Sequence, residues 1–291
     1  MFQGSMVAMA TPMHENGAID EAGLARLVEL HVENGTDAIV AVGTTGESAT
    51  LDYDEHCDVM RQVVEIAADR IPIIGGTGAN STWEAEKLTR CAMEAGCAAA
   101  LLVTPYYNKP TQEGLYQHFK HVADAVPLPQ ILYNVPGRTA CDLLPDTVDR
   151  LADIPNIIGI KEASGNVDRA ETLIAQCGDR LDLYCGEDPR NLALLLAGAK
   201  GCISVTANVA PDLMHRMCQA ALDGEREEAE RLDARLAALH KSLFVETNPI
   251  PVKWALCEMG LIGPGMRLPM TPLASQHHET VRQALLLAGV L

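Results

Sequence analysis

Aromatic residues are scarce in this chain, 4% of 291 residues, and with them goes the stacking platform of a single-stranded nucleic-acid binder. Cations are scarce too. Twenty-two Lys and Arg face 39 Asp and Glu, a net charge of −17, so the surface repels phosphate backbones and anionic membranes. No apolar run approaches the roughly 18 residues needed to cross a bilayer. The opening MFQGSMVAMA lacks the basic start and apolar stretch of a secretory signal, which leads us to expect a cytoplasmic protein. The nine cysteines are odd in number and scattered, with no C-x-x-C pair and no zinc spacing, so they read as small buried hydrophobes in a reducing compartment. His118 and His121 stand three apart on a helical stretch and His277-His278 lies near the end. Neither pair has a carboxylate cluster at ligand spacing, so we expect no metal. Gly75-Gly76-Thr77-Gly78 lacks both a P-loop lysine and dinucleotide spacing.

What the chain does have is alternation. Short apolar runs read as eight strands: Ser5–Thr11, Ala38–Gly43, Pro72–Thr77, Ala98–Thr104, Pro129–Val135, Ile157–Ala163, Leu181–Glu187 and Gly201–Ala207. Most are apolar throughout, as strands buried on both faces should be. Amphipathic segments lie between them. Asp20 precedes Leu24, Leu27 and Val28 on one face, and Ser81 with Glu84 and Asp52 with Glu55 read as capping boxes. Eight strand–helix units predict an α/β fold, a closed (β/α)8 TIM barrel over residues 1–223. Residues 224–291 continue as a C-terminal helical appendage, in which Leu232, Leu236, Leu239 and Leu243 share one helical face.

Parallel barrels keep their chemistry at the C-terminal ends of the strands. There stand Gly43-Thr44-Thr45-Gly46-Glu47-Ser48, Thr104-Pro105-Tyr106-Tyr107, Tyr133 through Thr139, and Lys161. Of seven lysines, the other six can be placed on helices, loops or surface turns; Lys161 alone follows an apolar strand, Ile157-Ile158-Gly159-Ile160. A barrel mouth poor in water disfavours the charged ammonium and frees an amine to attack a ketone. The resulting Schiff base is an electron sink, so the carbon beside the former carbonyl can lose a proton and become a nucleophile. The plain alternative is a lysine snorkelling from its strand or paired with Glu162. Tyr133 ends the adjacent strand and can shuttle the protons that carbinolamine dehydration needs, although a buried tyrosine is often only core. Thr44 can relay protons to that phenol, and Thr45 can hold a substrate carboxylate. Arg138, after a Pro-Gly turn, either grips a second carboxylate or sits in solvent.

Taken together, the motifs closely resemble the bacterial dihydrodipicolinate synthase family, within a pyruvate-lyase superfamily that includes N-acetylneuraminate lyase. The segments are GTTGESATL at 43–51, TPYYNKPTQEG at 104–114, YNVPGRT at 133–139 and GIKEASG at 159–165, supported by SVTANVAP at 204–211 and NPIPVKWAL at 248–256. The resemblance covers essentially the whole chain. It implies condensation of pyruvate with L-aspartate 4-semialdehyde through a Schiff base on Lys161, in lysine and diaminopimelate biosynthesis, with no cofactor. Tyr133, Thr44 and Tyr107 would form a proton relay, Tyr107 coming from a neighbouring subunit of a homotetramer built as a dimer of dimers. Arg138 would bind the semialdehyde carboxylate, and Thr45, Gly186 and Ile203 the pyruvate. A feedback site for L-lysine would match Ser48, Ala49, His56, Asn80, Glu84 and Tyr106. Tyr53 departs from the histidine that lysine-sensitive relatives often carry there. The nearest rival is a lyase acting on N-acetylneuraminate or a 2-keto-3-deoxy sugar acid, which generally lacks the arginine after Pro-Gly. A non-catalytic sensor would be expected to lose Lys161, Tyr133 or Thr44. A metal-dependent aldolase needs ligands the chain does not show.

Overall fold

Eight parallel strands close on themselves in sequence order in the computed structural model, which describes residues 2–291. They are β1 Gly4–Ala8, β2 Ala38–Ala41, β3 Ile73–Gly76, β4 Ala99–Val103, β5 Gln130–Asn134, β6 Ile157–Glu162, β7 Asp182–Cys185 and β8 Gly201–Ser204, and β8 pairs back onto β1. The helices are α1 Glu21–Glu33, α2 Tyr53–Ala67, α3 Thr82–Ala95, α4 Gln112–Ala125, the short α5 Pro136–Thr139, α6 Pro145–Leu151, α7 Val167–Cys177, α8 Asn191–Leu196, α9 Pro211–Leu222, α10 Arg226–Ser242, α11 Ile250–Glu258 and α12 His278–Ala288. The barrel predicted from the alternation is the barrel that forms. Its strands stop one to three residues before the apolar runs do. At each mouth the chain leaves the ladder to turn over the opening, so Gly43, Thr77, Thr104 and Glu187 become loop.

Two hydrophobic clusters follow from the strand period of two. Met6, Val40, Ile74, Leu101, Ile131, Tyr133, Tyr184 and Ile203 fill the barrel interior. Val7, Ile39, Leu102, Leu132 and Ile160, the alternate residues, face the helical ring. This outer cluster runs on without a break into Leu232, Leu236, Leu239, Val252 and Leu285, so α10–α12 share the barrel's core.

Local signals met mixed fates. Asp20 caps α1 by accepting from the Gly23 amide, and Asp52 and Glu55 form the full capping box of α2. Ser81 stands at the start of α3 but its side chain makes no cap bond. It is exposed, and the neighbouring Thr82 hydroxyl instead meets His118 Nδ1 at 2.9 Å. His118 itself is buried, while His121 on the open face pairs with Glu86. Cysteine departs from the expectation as well. Cys57 on α2 and Cys91 on α3 form a disulfide with Cα atoms 6.0 Å apart, and the other seven are free. The two helices pack side by side, which no spacing rule in the sequence can reveal. Among the described residues no helix is long and apolar enough to cross a membrane, and no three His, Cys, Asp or Glu are grouped to hold a metal.

Candidate active site

A cavity of about 670 Å3 opens at the C-terminal ends of the strands. Its lining includes Ala8, Val40, Leu101, Tyr133, Lys161 and Val205 from the strands and the residues just beyond them. Lys161 reaches it because β6 alternates: Ile160 points to the helical ring and Lys161 to the axis. Only 5% of Lys161 is exposed, and its Nζ lies 4.3 Å from the centroid of the Tyr133 ring, on the strand that pairs with its own. Glu162, the next residue, faces the other way. Its carboxylate accepts from Arg169 Nε at 3.2 Å, Asn134 Nδ2 at 3.2 Å and the Ser164 amide at 2.7 Å. Pairing with Glu162 therefore does not occupy Lys161, and among the described residues no ion pair of Lys161 is present. Lys161 is thus a buried lysine without an ion-pair partner among the described residues, facing the cavity beside Tyr133.

Gly186, beyond β7, makes the space that side chain uses. A Cβ there would lie 2.9 Å from Lys161 Cε and 2.7 Å from Ala163 Cβ. Gly76 lets β3 approach the turn after β2 in the same way, since its Cβ would lie 2.6 Å from the Val42 carbonyl oxygen. That turn brings both Thr44 and Thr45 to the cavity. Thr45 is 2% exposed, and its hydroxyl accepts from Asn248 Nδ2 at 3.0 Å. Arg138, on α5, also lines the cavity and donates to the Asn248 carbonyl at 3.4 Å.

Lys161, Tyr133, Thr44, Thr45, Arg138 and Gly186 thus converge on one cavity, whereas two expected residues do not. Ile203 packs inside the barrel core instead of the lining. Tyr107 is 87% exposed with a left-handed backbone, φ 77°, and projects away from its own chain. The residues matched to an effector site have several different surroundings. Asn80, Glu84 and Tyr106 lie together: burial, then the Glu84 charge, raises the Tyr106 phenol, opposed by a bond to the Asn80 backbone. His56 is buried against the Gly76 carbonyl at 2.7 Å, and burial lowers its basicity. Ser48 reaches the catalytic cavity itself, while Ala49 and Tyr53 stand exposed on the outer side.

Sequence reasoning missed what the appendage contributes. Asp233, Ala237, His240 and Lys241 of α10, together with Phe244 and Asn248 beyond it, form one wall of the cavity. None of them follows a strand, so the rule that led to Lys161 could not find them. Lys253, a helix lysine as the sequence allowed, is 3% exposed and ion-paired with Glu47, on a helix that also buries Ile250, Val252, Ala255 and Leu256.

The comparisons agree with this geometry. Residues 1–288 match the model of the dihydrodipicolinate synthetase family, DHDPS. The chain is 73% identical, over 100% of both sequences, to the 4-hydroxy-tetrahydrodipicolinate synthase of Alkalilimnicola ehrlichii. Among solved structures it superposes with a TM-score of 0.99 and 56% identity, covering 100% of both chains, on the chloride-inhibited dihydrodipicolinate synthase of Acinetobacter baumannii complexed with pyruvate. It also superposes with a TM-score of 0.96 and 39% identity on the DHDPS of Cyanidioschyzon merolae with lysine bound, covering 100% of this chain and 99% of that one. With a buried strand lysine, its tyrosine neighbour and a match along nearly its whole length, this chain belongs to the dihydrodipicolinate synthetase family.

Proposed function

We propose that the chain is a 4-hydroxy-tetrahydrodipicolinate synthase, a lyase that condenses pyruvate with L-aspartate 4-semialdehyde. The observation that carries this reading is Lys161: buried, unpaired and set against Tyr133 in a cavity that also holds Arg138. The pyruvate complex of the Acinetobacter relative supports the first substrate.

The Lys161 amine attacks the pyruvate ketone, forming a C–N bond. Tyr133 passes a proton to the oxygen, which leaves as water and yields an imine. Loss of a methyl proton gives the enamine, whose carbon attacks the aldehyde carbon of the semialdehyde. The semialdehyde's own amine then displaces Lys161, closing the ring and returning the lysine. Thr45 donates to the pyruvate carboxylate and Thr44 relays protons to Tyr133. Arg138 grips the second substrate's carboxylate, and this separates the synthase from a sugar-acid or N-acetylneuraminate lyase. The amine itself supplies the electron sink, so neither metal nor organic cofactor is called for, and activity should survive EDTA.

Tyr107 completes the relay only if it enters the cavity of a second copy, and its outward, exposed position suits that role. The assembly is then a homotetramer made of two tight dimers, active in the cytoplasm in lysine and diaminopimelate biosynthesis. L-Lysine binds at Ser48, Ala49, Tyr53, His56, Asn80, Glu84 and Tyr106, a reading supported by the lysine-bound Cyanidioschyzon relative. With Tyr53 in place of histidine, inhibition is partial and on the order of millimolar, in keeping with the modest coupling typical of allostery. A lysine titration with no loss of rate, and no heat of binding, removes that site.

Purified protein, pyruvate and the semialdehyde, coupled to the downstream NADPH-dependent reductase, test the activity. NADPH consumption that requires both substrates and disappears in Lys161→Ala is expected. Protein that forms a pyruvate adduct yet gives no turnover would be a pyruvate lyase of another specificity.

A further inference from the structure

Glu47 and Lys253 take no part in the chemistry above, yet they are 5% and 3% exposed and ion-paired to each other across 206 residues of sequence. Glu47 directly follows the turn that carries Thr44 and Thr45. Its backbone is left-handed, φ 57°, and so is that of Val42 on the other side of the turn, φ 49°. A β-branched residue resists that region strongly, and such conformations persist only where the surroundings over-determine them.

Much of that support comes from beyond the barrel. One Glu47 oxygen takes the Lys253 ammonium and the other accepts the Arg267 amide at 3.2 Å. The Arg267 guanidinium donates to the Thr50 carbonyl at 2.8 Å and pairs with Glu55 at 2.7 Å. Asn248 Nδ2 donates to Thr45, and the Asn248 carbonyl accepts from Arg138. Apart from the Thr11 hydroxyl, which donates to the Gly46 carbonyl at 2.7 Å, these bonds to the turn come from residues 248–267. Burial lowers the basicity of Lys253, and the Glu47 carboxylate opposes that. A buried ion pair is seldom the most stabilising filling for such a place, since apolar residues of like volume serve as well. Its value here is in direction: it fixes a strained turn in one orientation.

We propose that Glu47 and Lys253 are positioning residues which, with Asn248, lock the Thr44–Thr45 turn to the C-terminal segment and aim the Thr45 hydroxyl proton at the keto acid's carboxylate. The Thr45 oxygen accepts from Asn248, so its own O–H is left to donate into the cavity it lines. The inference rests on the synthase reading for the identity of that keto acid.

The test uses the double variant Glu47→Gln/Lys253→Met, because Lys253→Met alone strands a buried carboxylate and can fail to fold. The double variant is expected to unfold cooperatively near the native midpoint and to form a complete borohydride-trapped adduct at saturating pyruvate. Its KM for pyruvate is expected to rise about tenfold, as when a group that binds the ground state is lost. Asn248→Ala, which keeps the ion pair, is expected to raise the same KM. Native KM values in either folded variant overturn the proposal, since a merely structural pair would leave pyruvate binding untouched. A native chain that forms no pyruvate adduct overturns the synthase reading and this proposal together. A native chain that forms it, with variants that titrate identically, overturns the positioning role alone.

Discussion

At the scale of single residues, the site depends on room as much as on functional groups. Gly186 is the clearest case, since a methyl group there meets both Lys161 Cε and Ala163 Cβ closer than atoms normally pack. Gly186→Ala is expected to displace the amine and slow pyruvate-adduct formation on the order of a hundredfold, the loss that goes with a reacting atom moved by about an ångström. Single-turnover trapping with borohydride measures it, and an unchanged rate would mean Lys161 has slack that the packing denies. Arg138→Ala should leave adduct formation near native and lower kcat/KM for the semialdehyde roughly 10- to 100-fold, the worth of one charge-assisted hydrogen bond. Equal losses in both steps would take Arg138 out of the second-substrate role. Lys161, Tyr133 and the two threonines were legible in the sequence because polar residues that end apolar strands stand out against them. Asn248 and Lys253 were not, because a helical tail offers no rule for which of its polar groups turns inward.

At the scale of elements, strands and helices were legible wherever periodicity was strong, and their ends were not. The apolar runs overshoot the strands because the same residue types line the mouth loops, where direction is set by close approaches such as that of Gly76 to Val42. Helix α10 shows the opposite strength. Leu232, Leu236 and Leu239 fall on one face in the sequence and are fully buried in the fold. Leu236→Ala is expected to cost about 2–5 kcal/mol, the range for emptying a packed leucine site. Because α10 also walls the cavity, denaturant titration followed by both activity and circular dichroism should lose the two signals together. Activity that persists after the helical signal falls would detach the appendage from the site.

For the molecule as a whole, acid stability follows from its buried histidines. Burial lowers His31 to about 3 and His118 to about 4 from an ordinary value of 6.5. Both are neutral in the fold, while the unfolded chain takes up their protons below 6.5. Their stabilisation is therefore complete above pH 6.5 and is lost as pH falls, by about 2 kcal/mol each on reaching pH 5. Melting curves between pH 7 and pH 5 should show this decline, and His31→Gln or His118→Gln should make it shallower. Assembly is the other property of the whole. Tyr107 stands 87% exposed on a left-handed backbone, outside its own cavity. If each site borrows it from a neighbour, mixing inactive Tyr107→Phe and Lys161→Ala chains restores activity, since one mixed site then holds both intact groups. No recovery after subunit exchange would return Tyr107 to the surface. The claim on which everything else depends is the Schiff base itself, and the direct measurement is borohydride reduction of the native chain with pyruvate, followed by peptide mass spectrometry. A reduced pyruvate adduct on the peptide that carries Lys161, absent in Lys161→Ala, is the predicted result; no adduct, or one on another lysine, would contradict it.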